Sequence, residues 1–179
     1  RYKDRDRYLA VSLDIVDEMN QIVLEILSLS SVQELAGDKE WIQLDQVLEQ
    51  ILDQYKVLAQ SRSLTIDNQI PDKAVYMDPA ILKLVLSNVI SNAVKHSDAG
   101  GEIQLRLEEE GTHLAVENTS QKMVETAEMP MTASRQKKEG GLGLFVVQHL
   151  LDHEELAYQF DKTAMGLRFR MELPKDPQE

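Results

Sequence analysis

Between Asp78 and Ser97 the chain reads DPAILKLVLSNVISNAVKHS, and this stretch constrains the fold more than any other. Asp followed by Pro supplies an N-cap and a first-turn residue in the right order, so a helix is expected to start there. Leu82, Val85, Leu86, Val89, Ile90 and Ala93 recur at helical spacing and predict a broad face turned to a core. Asn88, Asn92 and Lys95 follow at intervals of four and three and share a second face. Amide oxygens in that arrangement can serve a hard cation, and an ammonium can serve phosphate oxygens. A solvated face would carry the same residue types, so spacing alone leaves both readings open.

A second segment bears on the choice. EGGLGL places Gly140, Gly141 and Gly143 at the start of a predicted helix, where backbone N–H groups and the positive end of the helix dipole suit an anion. It is neither a Walker A loop, because Leu144-Phe145 stand where Lys-Ser or Lys-Thr is required, nor a dinucleotide fingerprint, because no strand precedes it.

Around these segments the pattern is of short strands and helices. EWIQLD predicts a strand, with Asp45 capping a helix whose inner side is Leu48, Ile51, Leu52, Tyr55 and Leu58. LTIDNQI and KAVYMD flank Pro71-Asp72 and predict a hairpin. Gly100-Gly101 is expected to end the helix from Asp78. EIQLRLEEE and THLAVENT predict two strands turning at Gly111, and LAYQFDK and GLRFRMELP a final hairpin. Residues 120 to 139 read as a long loop. The sum is an α+β, two-layer sandwich: a mixed, mostly antiparallel sheet against three helices. Ahead of it, residues 8 to 30 predict one long helix with stripes of Ile15, Met19, Ile22, Ile26 and Leu29 and of Leu9, Val16 and Val23. Such a face calls for a partner copy or for folding back onto the following domain. Residues 30 to 40 read as a linker.

Composition narrows the partners. A net charge of −12 on 179 residues opposes broad binding to nucleic acid or anionic lipid, so any phosphate must be held by a local site. The absence of cysteine excludes thiolate nucleophiles and Cys-based zinc sites. No apolar run approaches the roughly 18 residues of a membrane span. His149 and His153 stand four apart, but HLLDH lacks the Glu of a zincin motif; His113 reads as a surface strand residue.

Taken together and in order, NVISNAVKHS, VENTS and GGLGLFVVQHLL resemble the N, G1 and G2 boxes of the ATP-binding domain of sensor histidine kinases. The wider family includes the DNA gyrase, Hsp90 and MutL ATPases. EILSLSSV resembles the close of the second helix of the kinase's dimerisation and phosphotransfer hairpin. The resemblance implies that residues 1–36 are part of that hairpin plus linker, and that 37–179 are the catalytic domain. It implies ATP and Mg²⁺ as ligands, with Asn92 on the metal, Asn88 supporting the phosphate side, Lys95 on phosphate and His96 lining the nucleotide. Asn118 would accept from the adenine amino group, with Ser120 beside it, and Gly141, Leu142, Gly143 and Leu144 would lie along the phosphates. The implied reaction gives the ATP γ-phosphate to a His on a helix this sequence lacks, for relay to an Asp of a response regulator. The intact kinase would be a homodimer, and this part the cytoplasmic portion of a membrane-bound sensor. It would have no nucleic-acid partner and no direct membrane contact. Departures from the family pattern are Ser120 and Lys122 for the G1 glycines, Glu139 for the first G2 glycine, and only Met129-Pro130-Met131 where a lid motif is expected. They keep two alternatives open: a non-catalytic dimerising scaffold that binds a response regulator, and a serine kinase of the anti-sigma type.

Overall fold

The computed structural model describes residues 37–121 and 141–175; the expected long helix and the loop from 122 to 140 lie outside them. In chain order the elements are β1 (Glu40–Gln43), α1 (Leu44–Ser61), β2 (Thr65–Asn68), β3 (Ala74–Met77), α2 (Pro79–His96), β4 (Glu102–Glu108), β5 (His113–Thr119), α3 (Gly141–His153), β6 (Tyr158–Lys162) and β7 (Gly166–Glu172). A five-stranded sheet runs β2-β4-β5-β7-β6, parallel only between β2 and β4; β1 and β3 form a separate antiparallel ribbon. This is the expected sandwich.

Helix α2 is its centre because it must be apolar on more than one side. It packs against α1, α3 and β5. Leu82, Val85, Leu86 and Ile90 are fully enclosed, each contributing about 1.5–3 kcal/mol by burial. Leu48 and Ile51 of α1, Val147 and Leu151 of α3, and Ile103, Leu105, Leu114 and Met171 of the sheet complete one core. Leu52, Tyr55 and Leu58 are only partly buried against it. Strand periodicity sends the alternate residues to the other sheet face. There Arg106 pairs with Glu117 at 3.0 Å, Arg168 with Glu108 at 3.4 Å and Arg170 with Glu109 at 2.8 Å.

Both ends of α2 are fixed by side chains. Asp78 Oδ1 accepts from Ala80 N at 2.7 Å and Ile81 N at 3.3 Å, while Oδ2 accepts from Gly37 N and ties the incoming chain to the helix start. At the other end Arg62 donates to the carbonyls of Val94 (2.8 Å), Lys95 and Ser97 (2.6 Å), placing a guanidinium on the negative pole.

Three expectations change. β2 and β3 are not a hairpin: β2 pairs with β4, and β3 with β1. The Pro71-Asp72 signal does turn the chain, but Gln69 N continues toward β4 by bonding Leu105 O, and β1 offers β3 a full backbone edge. Asp45 does not cap α1. The helix starts at Leu44, which is fully buried, so the chain turns one residue early and Asp45 falls in the first turn, its Oδ1 buried without a partner among the described residues. Finally, α2 ends at His96 with Ser97 as C-cap, and Gly100-Gly101 form the turn beyond it.

Two measurements follow from these contacts. Asp78→Ala is expected to lower stability by about 1–2 kcal/mol through loss of the cap, with Asp78→Asn losing less because its carbonyl still caps α2; urea unfolding separates them. Tyr158 is held above its ordinary 10.0, first by burial and then by the Asp152 carboxylate, which repels the phenolate and accepts from the phenol. The stability carried by the neutral phenol is complete below pH 10 and is lost as pH rises through the higher folded value. Urea unfolding across this range should show a shallower decline for Tyr158→Phe than for the parent.

Candidate functional site

Where α2 meets α3 the two sequence-distant segments come together. Gly143 lies against α2 so closely that a Cβ there would stand 2.8 Å from Asn88 Oδ1 and 3.3 Å from Asn92 Nδ2. Asn88 Nδ2 is committed to the carbonyl of Leu84 at 2.8 Å, which directs its oxygen toward the glycine. A side chain at this position would have to displace the end of the Asn88 amide, and the two amides gather at the first turn of α3.

Beside this contact opens a pocket of about 510 Å³ including its mouth. Val116, Leu167 and Phe169 of the sheet form its floor with Phe160, and Val89, Ala93 and Leu144 its walls. Three polar side chains enter it: Asn92, His96 and Asn118. A largely apolar recess with a few placed polar groups is the usual form of a small-molecule site, here suited to a flat ring with hydrogen-bonding edges.

The expected residues divide accordingly. Asn92, His96, Asn118 and Leu144 line the pocket, while Asn88 and Gly143 meet next to it. Gly141 and Leu142 are the opening positions of α3. Lys95 is half-buried in the last turn of α2, its carbonyl held by Arg62, and is not a wall of the pocket. Ser120 is buried and its N–H donates to Met165 O at 2.9 Å, so it lies at the end of β5 outside the recess. His149 stacks on Phe145 with planes 5° apart and His153 Nδ1 lies 3.5 Å from Glu154. Among the described residues no group of three His, Cys, Asp or Glu is arranged to hold a metal.

Sequence reasoning missed the groups that hold this site in place. The turn after α2 is joined to the end of β5: Asp98 N donates to Thr119 O at 2.9 Å, and Gln121 N to Asp98 Oδ2 at 2.6 Å. Asn118 Nδ2 donates to the buried Ser97 Oγ at 3.4 Å. Gly166 of β7 pairs with Thr119 of β5, and a Cβ on Gly166 would overlap the Asn118 carbonyl oxygen. The aromatic floor from Phe160 and Phe169 had only strand periodicity as a signal, which any core strand shares.

Residues 77–177, more than half of the chain, match the family described as Histidine kinase-, DNA gyrase B-, and HSP90-like ATPase. The chain belongs to this family. Within it, the chain is similar to the sensor histidine protein kinase HK06 of Streptococcus pneumoniae serotype 2, strain D39. The two are 31% identical over 181 residues, which is 96% of this chain and 40% of that protein. It is also similar to the sensor protein VanSB of Enterococcus faecalis strain V583, at 29% identity over 97% of this chain and 42% of that protein. The chain thus spans about two fifths of the length of these curated relatives. Among solved structures, the histidine kinase AdeS of Acinetobacter baumannii superposes with a TM-score of 0.69 at 18% identity, over 94% of this chain and 82% of that one. The catalytic domain of the histidine kinase ThkA gives 0.63 at 18% identity, over 78% and 98%. These likenesses show the shared fold, that of a histidine kinase-type ATPase domain. Among the described residues no helix is long and apolar enough to cross a membrane.

The contact of α2 with α3 gives this ATPase domain a direct test. Gly143→Ala is expected to keep the fold, costing about 1 kcal/mol or less, because the groups it meets are the ends of side chains that can swing aside. Thermal unfolding measures that cost. The side-chain amide signals of Asn88 and Asn92 should move in the NMR spectrum while those of the sheet stay in place.

Proposed function

We propose that residues 37–179 bind Mg²⁺-ATP and act as the phosphoryl donor of a sensor histidine kinase, and that residues 1–36 are part of its dimerisation and phosphotransfer hairpin. The observation that carries this reading is the meeting of Gly143 with Asn88 and Asn92 at the mouth of an apolar recess containing Asn118. The absence of a side chain at Gly143 lets the start of α3 close on the two amides, and the backbone N–H groups and dipole of that helix start suit a phosphate held beside them. On a chain of net charge −12, a local device of this kind is what a phosphate ligand requires.

In this reading Asn92 holds the Mg²⁺ and Asn88 supports the phosphate side; one or two protein oxygens suffice for an ion that phosphates and water otherwise surround. When bound, Mg²⁺ supplies neutralisation of the charge on the transferring phosphoryl group. Lys95 adds an ammonium to the phosphates. Gly141, Leu142, Gly143 and Leu144 present the backbone along them. Val89, Ala93, Val116 and Phe169 exclude water around the base, His96 lines it, and Asn118, with Ser120 behind it on the same segment, accepts from its amino group. The acceptor would be a His of the hairpin's first helix in the whole protein, with relay to a response-regulator Asp. The domain's contribution is positioning and charge stabilisation rather than covalent chemistry. Dimerisation and attachment to a membrane-bound sensor belong to the whole protein in the same reading.

Calorimetric titration with a non-hydrolysable ATP analogue, with and without Mg²⁺, tests it. Binding tighter than millimolar and dependent on Mg²⁺ is expected. Asn92→Ala should weaken it about tenfold or more, ~1.4 kcal/mol, with the circular dichroism unchanged. An affinity that Asn92→Ala leaves intact would remove Asn92 from the metal role. No binding by the parent would favour the non-catalytic scaffold, the reading to which Ser120 and Lys122 in place of glycines point.

A further inference from the structure

We propose that Ser97, which does not line the pocket, sets its base selectivity by fixing which edge of the Asn118 amide faces the ligand, so that the site takes a 6-amino purine and rejects a 6-oxo purine. The inference rests on the nucleotide reading above and concerns one residue that reading does not use.

Asparagine is ambiguous by itself. Its amide carries an acceptor on one side and two donors on the other, and a half-turn exchanges them, so an unconstrained Asn in a base pocket can serve adenine or guanine alike. A carboxylate has no such choice, since it only accepts, so facing the 6-position of a purine it takes an amino group and opposes an oxo group. The orientation of Asn118 must therefore come from its neighbour, and its neighbour is Ser97 Oγ at 3.4 Å.

That serine has one proton and it is already committed. Ser97 Oγ lies 2.5 Å from the carbonyl oxygen of Ala93, and a carbonyl has no proton to give, so the hydroxyl hydrogen must lie between the two oxygens. Toward Asn118, Ser97 can then offer only lone pairs. The Asn118 side that meets it has to be the NH₂, and the carbonyl oxygen is the edge left for the pocket that Asn118 lines. The arrangement has little room to relax. Ser97 and Asn118 are 2% and 5% exposed, Ser97 N also donates to Ala93 O at 3.0 Å, and the Ser97 carbonyl is held by Arg62 at 2.6 Å. A buried amide turned the wrong way would set two oxygens, or two donors, against each other. Asn118 thus presents an acceptor-only edge to the pocket, fixed through a hydroxyl one helix turn from Ala93. Ser97 is a positioning residue in this scheme; it touches Asn118 and not the ligand.

The test compares a non-hydrolysable ATP analogue with the matching GTP analogue, each with Mg²⁺, by calorimetry on the full chain. The parent protein should prefer the adenine analogue by at least about tenfold. Ser97→Ala removes the lone pairs that hold the NH₂, so the amide can turn, and the ratio should fall to within about threefold. Ser97→Ala combined with Asn118→Asp should restore the preference, because a carboxylate accepts in either orientation; a merely structural loss at Ser97 would not be rescued in this way. An unchanged ratio in Ser97→Ala overturns the proposal and leaves the nucleotide reading standing. Equal affinities in the parent overturn it even where Ser97→Ala does not fold. Failure of the parent to bind either analogue removes both the proposal and the reading beneath it.

Discussion

The burial of α2 between two helices and the sheet is the constraint on which the rest depends. A helix packed against α1, α3 and β5 has few positions left where a polar side chain is tolerated, and each such position must find a partner or a ligand. Asn88 satisfies its nitrogen within the helix, Ser97 closes the last turn, and Asn92 looks into the recess. The polar residues of α2 are thus placed by what surrounds the helix as much as by their spacing along it. Asp78 and Arg62 then fix its two ends, so the site at its C-terminal half sits on a rod held at both poles.

The same economy governs charge. The chain is acidic overall, and the start of α3 offers backbone N–H groups and the positive end of a helix dipole without a basic surface. The cations of the sheet's outer face are used elsewhere: Arg106, Arg168 and Arg170 are paired with Glu117, Glu108 and Glu109. The pairs of Arg168 and Arg170 are partly exposed and of a sort that adds little to stability, whereas Glu117 is buried against Arg106. They do keep the solvent side of a two-layer fold polar, so that the sheet buries one face alone.

Several parts of this were legible in the residues. Asp78-Pro79 announced the start of α2, its apolar positions named the buried face, and the strands β4 with β5 and β6 with β7 paired as their turns suggested. The pairing of β2 was misread because Pro71-Asp72 signals a change of direction and says nothing about which backbone edge is available afterwards. Asp45 was misread for a related reason: cap propensity is local and weak, and the burial of Leu44 outweighed it. Lys95 and Ser120 belong to the expected segments, Lys95 in the last turn of α2 and Ser120 just after β5, and neither lines the recess.

By itself the sequence determined the order of elements, the apolar face of α2 and the family, because these depend on neighbours three or four residues away and on motifs read in sequence. Tertiary structure alone decided that Gly143 meets Asn88 and Asn92, that β2 runs parallel to β4, and that Ser97 holds Asn118. The physical reason is one of range: steric exclusion at a glycine and the direction of a hydroxyl proton are settled by atoms that only folding brings within 4 Å, and helical or strand periodicity contains no information about them.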